Sequence, residues 1–103
     1  MLKEKQINRT DLLIELFNFA LNNTEKFQIT PDKGGWMGVI TLVTQCQKAG
    51  YTIDRADIIN IISKNKEKEL LKFINNSYVK SLKKSEVDDT FFKDIVINNA
   101  KSS

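Results

Sequence analysis

The stretch Phe27-Gln28-Ile29-Thr30-Pro31-Asp32-Lys33-Gly34-Gly35-Trp36-Met37-Gly38-Val39 decides the fold. It holds the only Trp, the only Pro and three of the four Gly of the chain. Phe27 and Ile29 alternate with Gln28 and Thr30, the two-residue period of a short strand. Pro31 sets the first φ of a turn, and the glycines after Lys33 accept a positive φ. Trp36 and Met37 then lie on a returning extended piece, so a short hairpin is expected here. A helical pattern leads into the stretch and two more follow it.

Upstream, residues 1–9 are polar and read as a flexible N-terminus. Thr10 is placed to cap a helix, with Asp11 where the helix dipole favours negative charge. Leu12, Leu13, Leu16, Phe17, Ala20 and Leu21 recur at helical spacing until Asn22-Asn23-Thr24. Downstream, Val39, Leu42, Val43 and Cys46 form a second helical stripe, closed by Ala49-Gly50. Tyr51 to Asp54 links it to a third helix, with Asp54 as N-cap and Asp57 at the capping-box position. Ile58, Ile61 and Ile62 give that helix its buried face, with Ile59 at the border. Asn75-Asn76-Ser77 lies between the apolar run Leu70–Ile74 and the strand Tyr78–Leu82, a hairpin turn. Ser85 is placed to cap a last amphipathic helix, Glu86–Ala100, whose apolar residues are Val87, Phe91, Phe92, Ile95 and Val96.

Two helices joined by a short turn and followed by a β-hairpin make a winged helix-turn-helix pattern. The expected fold is α+β: three core helices, a short hairpin and a wing over 10–84, with an added C-terminal helix and tail over 85–103. The helix starting at Asp54 takes the recognition position, and Asn75-Asn76-Ser77 is the wing tip.

Composition removes several function classes. The 103 residues fit one domain, and 41% apolar and 28% charged residues suit a soluble surface over a real core. There is no His, hence neither the commonest general base nor the commonest zinc ligand. The single Cys46 allows no internal disulfide. No apolar run approaches a membrane span, and the first residues lack the apolar region of a signal peptide, so a reduced, cytoplasmic protein is expected. No nucleophile motif or phosphate-binding Gly loop is present, so the chain reads as non-enzymatic, with no cofactor and no metal. Arg is scarce (Arg9 and Arg55), the bias of an A/T-rich, phage-like or low-GC coding sequence.

Charge is regional. Residues 1–60 balance seven basic against seven acidic side chains, whereas 61–85 carry seven Lys against Glu67 and Glu69 alone. Residues 86–103 are acidic on balance.

The chain also resembles the N-terminal lobe of the RNA 2′-phosphotransferase (KptA-type) family. The residues that carry the likeness are the helix Leu12–Asn23, the turn Asp32-Lys33-Gly34-Gly35-Trp36, Val39 with Leu42-Val43, the helix start Ile53–Ile58, and the hairpin Phe73–Leu82. It spans 11–82. The resemblance implies the fold and a nucleic-acid surface. It does not imply the reaction: the family places a Leu-Arg-His motif where this chain has Leu21-Asn22-Asn23, and the NAD-binding lobe does not follow.

Lys64, Lys66, Lys68, Lys72, Lys80, Lys83 and Lys84 are the leading candidate site, since clustered Lys neutralises phosphates and releases counterions. A solvated face with helix-end lysines explains the same residues, and both readings stay open. Arg55 and Asn60 are candidates on the exposed side of the third helix, where Asn can read adenine. Trp36 offers a base-stacking surface but reads better as a core anchor, given the usual high burial of Trp. Tyr51 and Tyr78 read the same way, each with its hydroxyl toward water. Glu86, Asp88 and Asp89 are dipole-favoured acids at a helix start rather than a metal site. Cys46 is read as an inert core residue.

The sequence therefore points to a small nucleic-acid-binding protein, of DNA or RNA, using the third-helix end and wing. The alternative is a protein-interaction module, an inhibitor or regulator of a host factor. It would use Phe91, Phe92, Ile95 and Val96, the same face that would serve a homodimer.

Overall fold

The first helix, α1 (Arg9–Leu21), is apolar almost all round: Leu12, Leu13, Ile14, Leu16, Phe17, Phe19 and Ala20 are buried. Such a helix belongs at the centre of a small fold, and α1 touches every other helix and both wing strands. The computed structural model describes residues 8–95. The cap is Asn8, not Thr10: the Asn8 side chain accepts from the Asp11 N–H at 2.9 Å, and the helix already includes Arg9. Arg9 is thus ordered structure rather than flexible N-terminus.

The expected strand Phe27–Thr30 does not form. Thr24–Phe27 is a single helical turn, α2, and Gln28 ends it in the left-handed region at φ 58°. The Gln45 side chain donates to the carbonyls of Phe27 and Gln28 at 3.2 and 3.3 Å. Asp32 closes the turn that follows: its Oδ1 accepts from the N–H groups of Gly34 and Trp36, each at 2.9 Å. Gly35 sits at φ 87°, a conformation that favours glycine.

The extended piece after the turn, β1 (Met37–Gly38), pairs with the distant wing instead. The wing is β2 (Leu71–Ile74) and β3 (Tyr78–Ser81), and the antiparallel sheet has the order β1-β3-β2. Between β1 and the wing run α3 (Val39–Lys48) and α4 (Arg55–Lys68). The α3 stripe Val39, Leu42, Val43 and Cys46 is buried. Gly50, at φ 102°, ends α3: its N–H bonds Gln47 O and the next N–H, of Tyr51, bonds Cys46 O. The first N–H of α3, on Val39, donates to Ser77 O at 2.8 Å, so the wing turn satisfies a helix-end donor. The Asp54–Asp57 capping box starts α4 as expected. Of the α4 isoleucines, Ile61 is buried, Ile58 and Ile62 are half-buried, and Ile59 is exposed. Asn75 and Asn76, at φ 51° and 57°, are the central residues of the turn that the Ser77 N–H closes onto Ile74 O, within the three-residue wing loop Asn75–Ser77; they are the left-handed pair that Asn tolerates.

Among the described residues the C-terminal segment is a 3-10 helix, Asp89–Ile95, and no α-helix starts at Ser85; residues 96–100 of the expected helix lie outside the described residues. Ser85 Oγ is buried without a hydrogen bond among the described residues, and Asp88 does the capping, accepting from Thr90 N and Oγ1. Phe92 is fully buried and joins a ring cluster with Phe19, Tyr51 and, through these, Phe27, at centroid separations of 5.2 to 6.1 Å. Aromatic contacts of this kind add about 0.5–1.5 kcal/mol each beyond burial. The described residues therefore form a mixed α+β fold, four α-helices, a 3-10 helix and a small three-stranded antiparallel sheet, compatible with a winged helix. No helix among the described residues is long and apolar enough to cross a membrane.

Candidate nucleic-acid interface

Strand alternation sorts the sheet into two faces. Met37, Leu71 and Val79 point into the core and are buried. The register pairs Lys72 with Lys80 and Ile74 with Tyr78 across β2 and β3, on the outer face. Across β1 and β3 it pairs Gly38 with Tyr78, and one step back the same register puts Trp36 opposite Lys80. The Lys80 ammonium indeed lies 5.3 Å from the Trp36 ring centroid. The outer face thus has one row of Trp36, Lys80 and Lys72, and a second of Gly38, Tyr78 and Ile74.

Trp36 is half-buried, not a core anchor, and Tyr78 is 53% exposed. Tyr51 differs from both: it is buried, and burial pushes its hydroxyl above the ordinary tyrosine range. The Asp32 turn holds the indole, because a Cβ at Gly34 would stand 3.1 Å from Trp36 Cδ1. Among the described residues Lys72 and Lys80 are in no ion pair. Like charges directly opposite one another on a sheet destabilise it. A cation over a partly exposed indole face recovers about 0.5–1 kcal/mol. The face is therefore basic and aromatic.

The other candidates lie on α4 and on the segment after β3. On α4, Arg55 and Asn60 are both exposed but point about 140° apart at 100° per residue. Asn60 and Lys64 line a surface cleft of about 440 Å³ with Asn8, Thr10 and Ser63. Lys64 leans toward Glu67 at 3.9 Å. Lys66 is free in solvent and Lys68 is half-buried. After β3, Lys83 and Lys84 are exposed and edge a cleft of about 320 Å³ with Asn22, Pro31 and Gly35.

No family model, characterised protein or solved structure matches this chain. Its own geometry has to carry the functional argument.

Asn22 and Asn23 are structural. Asn22 Nδ2 bonds Asn18 O, Ser81 Oγ and Lys83 O at 2.8, 3.1 and 3.1 Å, stapling the end of α1 to the end of β3. Asn23 Nδ2 bonds Phe19 O at 2.8 Å. Phe92 and Ile95 are buried in the chain's own core and Phe91 is half-buried against it, so they offer no ready face to a partner. Val96 lies outside the described residues. Asp89 pairs with Lys26 at 2.8 Å, which lowers the carboxyl and raises the ammonium from their ordinary values. Among the described residues no group of three or more acids, Cys or His is arranged for a metal ion. Cys46 is buried, and burial pushes its thiol up to about 12, so it stays unreactive.

Proposed function

We propose that the chain is a winged-helix nucleic-acid-binding protein, acting without catalysis through its wing and the lysine-rich end of α4. In this reading α3 and α4 are the helix-turn-helix pair, α4 is the recognition helix, and β2–β3 is the wing that returns to pair with β1. The likeness to the phosphotransferase lobe extends to this scaffold and a polyanion surface only, because Asn22 and Asn23 are engaged as staples. The observation that carries the reading is the cross-strand Lys72–Lys80 pair, which lacks an acidic partner among the described residues and stands beside an exposed Tyr78. A phosphate over the two strands would draw both ammonium groups onto one anion. Lys66 and Lys68 add charge on α4, and phosphate contacts of this type give affinity that falls steeply with salt.

Titration at low salt with duplex DNA, single strands and structured RNA tests the proposal. Binding to one of them, weakened by Lys66→Glu/Lys68→Glu, is the expected result. Absence of binding to all three contradicts it.

A further inference from the structure

We infer that the outer sheet face is a stacking platform for an unpaired nucleic-acid strand, with Trp36 and Tyr78 receiving bases and Lys72 and Lys80 holding the phosphate between them. This rests on the nucleic-acid reading above and names the form of nucleic acid that the wing takes.

The argument begins with composition. A wing that only tracks a duplex backbone needs cations and small polar residues. This one presents two aromatic rings and Ile74 on the same face as its lysines. Single-strand sites combine these two ingredients, a charged track and aromatic rings that stack on any base. Geometry agrees. Trp36 immediately precedes β1 and Tyr78 lies on β3; extending the β1–β3 register by one residue sets them diagonal to one another, a separation of roughly 7–8 Å for such positions. Gly38 fills the fourth corner with no side chain, and a Cβ there would meet only Thr41, at 3.6 Å. The Tyr78 ring therefore has no cross-strand neighbour on the β1 side and keeps a flank open. Three strands at about 4.8 Å spacing and two rows about 7 Å apart accommodate two or three nucleotides.

Electrostatics also couples the two functions. In the free protein the Lys80 ammonium rests over the Trp36 ring. A phosphate entering between the lysines draws Lys80 off the indole and exposes the ring as the adjacent base arrives. A paired duplex presents its phosphates but keeps its bases stacked, so it gains the charge contacts and not the aromatic ones.

Trp36 is the only tryptophan in the chain, so its fluorescence reports on this face directly. The probes are oligothymidylate and oligouridylate single strands of about a dozen residues and a duplex of equal length. Saturable quenching of Trp36 by both single strands is expected, with affinity above that for the duplex. Tyr78→Leu keeps apolar bulk and removes the ring at an exposed site. It should weaken single-strand binding about tenfold, the loss of one stacked base, with the urea midpoint unchanged. Equal binding of duplex and single strand, with Trp36 emission unmoved and Tyr78→Leu silent, overturns the platform and leaves the nucleic-acid reading standing. Self-association that quenches Trp36 without nucleic acid also overturns it. No binding by any probe at low salt defeats the nucleic-acid reading itself.

Discussion

The guanidinium of Arg9 closes on both carboxylate oxygens of Asp57, at 3.0 and 2.8 Å across a sequence separation of 48 residues. The same carboxylate accepts from the Asp54 N–H at 2.9 Å, completing the capping box of α4. One side chain thus fixes the start of the proposed recognition helix and ties it to the start of α1. Arg9 adds a bond to Thr52 O at 2.8 Å, in the α3–α4 connection.

Replacing Asp57 by Ala removes a charged hydrogen-bonded partner and a cap together, and should cost about 2–3 kcal/mol. Arg9→Ala should cost less, about 1 kcal/mol, because the Arg9 side chain is 45% exposed. The Arg9 guanidinium is the main cause holding the Asp57 carboxyl below the usual carboxylate range, against the opposing effect of its burial. A depressed carboxyl stabilises the fold above its unfolded value of about 3.9, and that stability is lost as pH falls toward the folded value. Urea midpoints between neutral pH and pH 3 check this: Asp57→Asn should have a flatter acid limb than the parent chain. Parallel limbs would contradict the assignment.

Phe92→Ala should cost about 3–5 kcal/mol, as expected for a fully buried ring. A chain truncated after Leu82 should lose its cooperative urea transition and its near-ultraviolet circular dichroism, because Phe19 and Tyr51 lose the ring that packs on them. A truncated chain that unfolds as sharply as the intact one would show that the 3-10 helix is an accessory.

At the wing tip, Asn76→Gly should be neutral or stabilising by about 0.5 kcal/mol, since glycine adopts its φ of 57° without strain. Asn76→Val should cost about 1–2 kcal/mol for forcing a β-branched residue into the left-handed region. Thermal unfolding of the pair separates the two effects, and equal midpoints would contradict the turn assignment.

Much of this architecture was legible because its signals are local. Asp54 with Asp57, Asn75 with Asn76, and Gly50 each act within a few residues, and each does what its spacing implies. The failures are non-local. Phe27 and Ile29 are buried as their alternation suggests, but Phe27 closes the helical turn Thr24–Phe27, and the Phe27 carbonyl is met by Gln45 from 18 residues away. Met37 pairs with Val79, a register that no nearby residue specifies. That register turns Met37 inward and therefore Trp36 outward, overriding the usual burial of Trp. The lysine cluster was visible in the sequence, but only the β2–β3 register shows that Lys72 and Lys80 stand opposite one another while Arg55 and Asn60 diverge on α4.

The most direct test is the salt dependence of oligonucleotide affinity for the parent chain and for Lys72→Gln/Lys80→Gln. Each phosphate neutralised on a single strand contributes about 0.7 to the slope of log K against log salt. The account predicts measurable binding at low salt, and a slope shallower by about 0.7 in the double variant, the loss of the one phosphate that the two lysines share. An unchanged slope, or no binding by the parent chain at low salt, would contradict the claim that this face binds nucleic acid.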